Sequence, residues 1–212
     1  ADGGTVLMTA RARDALLDTV VNNDGVIEAD TVGEHAGVIL LGGGDAGVVA
    51  SRGALHARGD AGSGQGGRVE ITGQRIALTH AADIDVSGEH GGGHVNIGGS
   101  REGQGPLPNS AGVFISRDAR VTANARTRGD GGALVVHALD TAQIHGTLEA
   151  KGGALGGDGG FVETSGRQHL DLTATPLVTA AAGAPGLWLI DPVNLVITAT
   201  SNVCVLASGC VA

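Results

Sequence analysis

A glycine followed at once by a short, alternating apolar run recurs along this chain. That recurrence narrows the possible folds more than any other feature. The copies are Gly4-Thr-Val-Leu-Met-Thr, Gly37-Val-Ile-Leu-Leu, Gly67-Arg-Val-Glu-Ile-Thr, Gly93-His-Val-Asn-Ile, Gly112-Val-Phe-Ile-Ser, Gly132-Ala-Leu-Val-Val, Gly160-Phe-Val-Glu-Thr and Gly186-Leu-Trp-Leu-Ile. Their starts lie 33, 30, 26, 19, 20, 28 and 26 residues apart. A repeated unit with loops of variable length reads as a solenoid. Within the unit that starts at Gly67, Val69-Glu-Ile71, Ile76-Ala-Leu78 and Ile84-Asp-Val86 each alternate apolar with polar or small residues, the period of a half-buried strand. Three such strands and three turns make one coil of a three-faced parallel β-helix. Val69, Ile71, Ile76, Leu78, Ile84 and Val86 are then expected to point inward. A two-sheet sandwich would use the same strands, but it does not explain Gly-Gly opening coil after coil.

Composition agrees. The 212 residues include 39 Gly but only two Phe, one Trp and no Tyr. Interior Gly opposes long helices, and a narrow stack is filled well by Val, Ile and Leu without aromatic rings. Gly does not recur at every third position, which excludes collagen, and the plentiful aliphatic runs argue against disorder. One stretch differs. Leu16, Leu17, Val20 and Val21 have helical spacing, predicting a short helix near residues 12–20 beside the stack. The fold expectation is an all-β helix of about seven coils from Gly3 to about Thr198. The segment 1–199 forms its body, and 200–212 is a terminal loop or the start of another module.

The net charge of −9 disfavours nucleic acid as a partner. No apolar run reaches the ~20 residues that span a bilayer, so the chain is expected not to cross a membrane. It opens mid-pattern at Ala1 without a signal peptide, which reads as a piece of something longer.

Motifs that carry chemistry are weak. Gly62-Ser-Gly64-Gln-Gly-Gly67 matches G-x-G-x-x-G, but a strand pattern follows it where a nucleotide site needs a helix. His90 and His94 are separated by Gly91-Gly-Gly93, which forbids the helix an i, i+4 metal pair requires. Asp83 and Asp85 lie on one strand face and form a candidate acid/base pair, as in β-helical glycan-cleaving enzymes, although a solvated face explains them equally. No catalytic residue, metal or cofactor is expected. Arg-Gly-Asp occurs at Arg58-Gly59-Asp60 and at Arg128-Gly129-Asp130. It resembles the integrin-recognition tripeptide, but Gly-Asp is also favoured there by turn geometry, since a third slot reads Gly157-Asp158. Both arginines are expected to be exposed. Trp188, the only Trp, starts the last strong strand before Asp191-Pro192. Pro192 should end that strand's ladder, and Trp188 is read as a lid over the apolar end of the stack, with a half-exposed ring at a strand end as the alternative.

Three segments carry a family resemblance. They are Gly3 to Ala29, containing Asp14-Ala-Leu-Leu-Asp-Thr-Val-Val-Asn-Asn-Asp-Gly-Val-Ile-Glu-Ala29; Asp158-Gly-Gly-Phe-Val-Glu-Thr-Ser-Gly166; and Gly186-Leu-Trp-Leu-Ile-Asp-Pro-Val-Asn-Leu-Val-Ile-Thr198. They resemble segments of large secreted exoproteins of the filamentous haemagglutinin type, which include high-molecular-weight adhesins. The resemblance implies a right-handed parallel β-helix exported from a Gram-negative cell by two-partner secretion. It implies an Omp85-like outer-membrane transporter as partner, recognised through an N-terminal secretion domain expected to lie outside these residues. It also implies a location outside the cell or on its surface. In such proteins the helix is a stalk. The leading expectation is therefore a non-catalytic adhesive segment displayed to a receptor on host cells or neighbouring bacteria. A module capturing, for example, a host haem-carrying protein through loops such as Gly98 to Ala111 is the alternative, as is the stalk of a cytolysin or contact-dependent inhibition toxin. A glycan-cleaving enzyme is more remote. Export to an oxidising compartment further implies a disulfide between Cys204 and Cys210.

Overall fold

The computed structural model describes residues 3–10, 20–30, 36–59, 64–191, 196–199 and 202–205. In chain order, the first coil holds β1 (Thr5–Thr9), β2 (Val20–Asn23) and β3 (Val26–Glu28), and the second β4 (Val38–Gly42), β5 (Val48–Ser51) and β6 (Ala54–His56). The third holds β7 (Arg68–Thr72), β8 (Arg75–Leu78) and β9 (Asp83–Asp85), and the fourth β10 (His94–Ile97), β11 (Gly112–Ile115) and β12 (Arg120–Thr122). Next come β13 (Ala133–Ala138), β14 (Thr141–Ile144) and β15 (Thr147–Glu149), then β16 (Phe161–Gly166) and β17 (His169–Leu172). β18 (Leu187–Ile190), β19 (Val196–Ala199) and β20 (Asn202–Val205) follow.

Each strand pairs with its counterpart one coil away. The result is three sheets: β1-β4-β7-β10-β13-β16-β18, β2-β5-β8-β11-β14-β17 and β3-β6-β9-β12-β15. Pairing within all three is parallel. The chain is thus an all-β solenoid, not a sandwich. The sixth coil closes its third face through a bridge between Glu149 and Leu177. About six turns are complete, and β18 opens a seventh. Beyond Ile190 the coil pattern gives way to β19 and β20, which pair antiparallel, Val196 with Val205 and Ala199 with Asn202.

The repeat count needs one correction. Gly112 does not open a coil, because β11 pairs with β8 and β14 on the second face. Gly93 and Gly132 open successive coils, so that turn runs 39 residues. The excess is the segment between β10 and β11, whereas β7 and β8 are joined by only two residues. The predicted helix overlaps β2 at Val20, which pairs with Val48. Residues 12–19 of it lie outside the described residues.

The interior is a set of apolar ladders. Ile39, Val69, Val95, Leu134 and Val162 stack in register on the first face, all buried. Ile76 and Leu78 do the same on the second face, and Leu55, Ile84 and Val121 on the third. All six side chains expected to point inward are buried. Paired glycines pinch the corner from the third face back to the first. The amide of Gly132 donates to the carbonyl of Ala123 at 2.7 Å, closing its coil. A Cβ on Gly132 would stand 2.0 Å from the carbonyl oxygen of Gly93 in the coil below. One on Gly131 would stand 2.4 Å from that of Ala150. The coils approach too closely at this corner for any side chain, which is why Gly-Gly recurs.

Candidate functional site

The 14 residues between β10 and β11, 98–111, make the largest departure from the regular coil. They carry a single 3-10 turn, Arg101–Gly103, and fold back over the outer surface of β13 and β16. We call this segment the strap. Ser110 anchors its return by donating from Oγ to the carbonyl of Gly73 at 2.6 Å. Arg101 lies over the Phe161 ring, 4.4 Å from its centre. The amide of Glu102 donates to both carboxylate oxygens of Glu163 at 3.0 Å each. Asn109 donates from Nδ2 to the carbonyl of Gly103 at 2.9 Å, which closes the strap on itself.

The strap explains why β13 and β16 do not alternate. Their outer faces are covered as well as their inner ones, leaving Val135, His137 and Ser165 buried and Glu163 fully so. Ser165 donates from Oγ to Glu163 at 2.8 Å, and Nδ1 of His137 lies 3.7 Å from the same carboxylate, too far for a direct hydrogen bond. Burial pushes the Glu163 pKa up. The polar groups of His137, Ser165 and the Glu102 amide outweigh it, so the carboxyl is held below the usual glutamate range. A cavity of about 380 Å³ under the strap is lined by Glu102, Asn109, His137, Arg167 and Asp191, among others. His137 and Glu163 were not singled out from the sequence. The legible signal was the unbroken apolar run Ala133-Leu-Val-Val136, since a strand covered on both faces loses its alternation.

The outer face of the third sheet carries paired charges. His56 sits between Glu28, 3.4 Å from Nδ1, and Asp83, 3.0 Å from Nε2. Asp85 accepts from the Ser87 amide at 2.9 Å and the Thr122 hydroxyl at 3.0 Å, with Arg126 at 3.6 Å. Burial alone would raise its pKa, but these donors and Arg126 lower it. Glu149 is likewise lowered against burial, by Lys151, Asn124 and Arg120. Asp83 and Asp85 therefore share a strand face as expected, but Asp85 is stabilised as a carboxylate, the opposite of what a general acid needs.

The two Arg-Gly-Asp copies differ. Arg58 is not exposed as expected. Its side chain is 26% accessible, and its guanidinium reaches Asp30 at 3.1 Å and Glu28 at 3.2 Å in the coil below. The reason is stacking, which puts successive third-face corners within side-chain reach of each other. Gly59 bridges to Gly88, and Asp60 lies outside the described residues. Arg128 is exposed, Gly129 has a φ of +91°, and Asp130 accepts the amide of Asp158 at 2.8 Å. His90 and His94 are both exposed. Among the described residues no group of three or more His, Cys, Asp or Glu is placed to hold a metal ion. Among the same residues no helix is long and apolar enough to cross a membrane.

Trp188 continues the first-face ladder above Val162 and is half-buried against the core. Its Nε1 donates to Thr164 Oγ1 at 3.0 Å. Asp191 is exposed, and Pro192 lies outside the described residues. Cys204 is paired across the hairpin with Ile197, and Cys210 lies outside the described residues.

No protein-family model matches this chain, and no curated protein matches its sequence. Among solved structures it is similar to the crystal structure of the HMW1 secretion domain from Haemophilus influenzae, with a TM-score of 0.69 and 28% identity. The match covers 90% of this chain and 47% of that one, so the chain spans about half the length of the solved chain it matches. This runs against the expectation that a secretion domain lies wholly outside these residues, since the likeness is to a secretion domain itself.

Proposed function

We propose that this chain is a β-helical segment of an exoprotein exported by two-partner secretion, and that it includes part of the region an Omp85-like outer-membrane transporter recognises. The observation that carries this reading is the likeness to a secretion domain over 90% of the chain at 28% identity. The fold suits such a route. Each coil contacts chiefly its neighbours, so folding proceeds coil by coil as the chain leaves a pore. On this reading the mature segment stands outside the cell or on its surface.

The segment acts as a non-catalytic stalk, displaying its faces to a receptor on host cells or neighbouring bacteria. Two features support this. The charges on the third sheet are engaged with one another, and the strap is folded onto its own stack and not extended as a capture loop. The test is export. The chain, placed behind a cleavable leader in a Gram-negative host, should appear in the medium only when a two-partner transporter is co-expressed. Release that is equal with and without the transporter would refute the reading.

A further inference from the structure

The contact between strap and stack leaves three buried polar atoms without partners: Nδ1 and Nε2 of His137 and Oδ1 of Asn109. They are neighbours. A Cβ on Gly103 would stand 2.6 Å from His137 Nε2 and 3.4 Å from Asn109 Nδ2. One on Gly99 would stand 2.5 Å from Asn109 Oδ1 and 3.2 Å from His137 Cδ2. The Asn109 amide therefore lies along the Nε2 edge of the imidazole. Its Nδ2 is committed to the carbonyl of Gly103, so Oδ1 is the free acceptor. On the opposite edge, Nδ1 faces the Glu163 carboxylate, also an acceptor. Both ring nitrogens thus look toward acceptors. A neutral imidazole supplies one donor, an imidazolium two.

Charge makes the same demand. Glu163 is fully buried, and an ionised carboxylate there is costly without a counter-charge. The titratable groups around His137 are few. From β16 comes Glu163 itself. From the strap come Arg101 and Glu102, and Arg101 is engaged with Glu102 at 3.2 Å and with the Phe161 ring. Arg167 and Asp191 are exposed and line the cavity under the strap. The basic side chain buried beside Glu163 is that of His137, with Nδ1 3.7 Å from the carboxylate.

We propose that the strap is a proton-dependent clasp. With His137 doubly protonated, its charge stands 3.7 Å from the Glu163 carboxylate, its Nε2 edge faces the Asn109 amide, and the strap stays closed over β13 and β16. Loss of that proton leaves Glu163 without its counter-charge. The strap then opens, baring the outer edge of Val135, His137 and Glu163 to solvent. This inference is independent of the export reading, because it concerns the folded chain alone. An imidazole is the side chain that makes such an exchange between about pH 5 and 8.

The test is amide hydrogen exchange on the whole chain, corrected for the intrinsic pH dependence of exchange. Protection of the Glu102 amide should fall at least tenfold between pH 5 and pH 8, while the β7 amides of Val69 and Ile71 hold theirs. In His137→Gln the pH dependence should vanish. Asn109→Ala, a milder change, should lower protection at pH 5 several-fold and leave the pH 8 value unchanged. Equal protection of Glu102 at both pH values would overturn the clasp. So would a fall shared by β7, or a pH dependence that survives in His137→Gln.

Discussion

The carbonyl oxygen of Gly93 lies only 2.0 Å from the position that a Cβ on Gly132 would take, one coil further along. No real Cβ tolerates that approach to a backbone atom, so the coils would have to separate. Gly132→Ala should therefore destabilise the protein by about 3 kcal/mol or more, the range of severe single substitutions. Gly112 supplies the contrast, because a Cβ there meets nothing closer than 3.8 Å. Gly112→Ala should be neutral or stabilising by about 0.5 kcal/mol, through the unfolded chain. Denaturant midpoints of the two variants check both. Similar losses for the two would dismiss the corner argument.

Acid should destabilise the stack through three carboxylates. Asp85, Glu149 and Glu163 all have lowered pKa values in the fold. Each binds a proton less readily folded than unfolded. Their contribution is therefore complete above the ordinary values of 3.8 for Asp and 4.5 for Glu. It is lost as pH falls below those values through the folded ones. Thermal unfolding between pH 6 and pH 2 should show the decline. Asp85→Asn should lower stability at pH 6 and flatten the acid limb. An unaltered limb in that variant would remove Asp85 from the account.

Trp188 tops the first-face ladder, half-buried, with its indole N–H held by Thr164. We propose that it covers the apolar end of the stack. As the sole Trp, its fluorescence reports this directly. Iodide should quench it slowly in the native protein and quickly in denaturant. Trp188→Ala should cost about 3 kcal/mol, within the range for core Trp truncation. Fast native quenching would place the ring in solvent.

We propose that Arg-Gly-Asp is a turn device in this fold. Arg58 is tied to Asp30 and Glu28, and Asp130 accepts the Asp158 amide. Asp60→Glu combined with Asp130→Glu should leave adhesion of cultured cells unchanged, whereas Arg58→Ala should lower stability by about 1 kcal/mol. Adhesion lost in the double variant and inhibited by a soluble Arg-Gly-Asp peptide would restore the integrin reading.

A disulfide between Cys204 and Cys210 is our proposal for the chain's last residues. It would contribute roughly 2 kcal/mol, because so short a loop removes little unfolded-state entropy. Alkylation of the native monomer without reductant, followed by mass spectrometry, should add no alkyl group. Two added groups would refute the bridge.

The sequence by itself determined the solenoid. Alternation marks the strands, Gly-Gly marks each corner, and Val69, Ile71, Ile76, Leu78, Ile84 and Val86 were legible as interior because period-2 burial is a local property of a strand. What stayed illegible depends on which coil lies beside which residue. Gly112 follows the coil-opening pattern yet belongs to the second face, because a 14-residue strap intervenes before it. Arg58 reads as a surface turn residue until Asp30, 28 positions earlier, is stacked beneath it. The juxtaposition of Glu102 with Glu163 spans 61 positions. No pattern within one coil encodes it, because the strap folds across two later coils. Only the stacked structure decided that a glutamate on a strand's outer face would be fully buried, and that His137 would be the imidazole beside it.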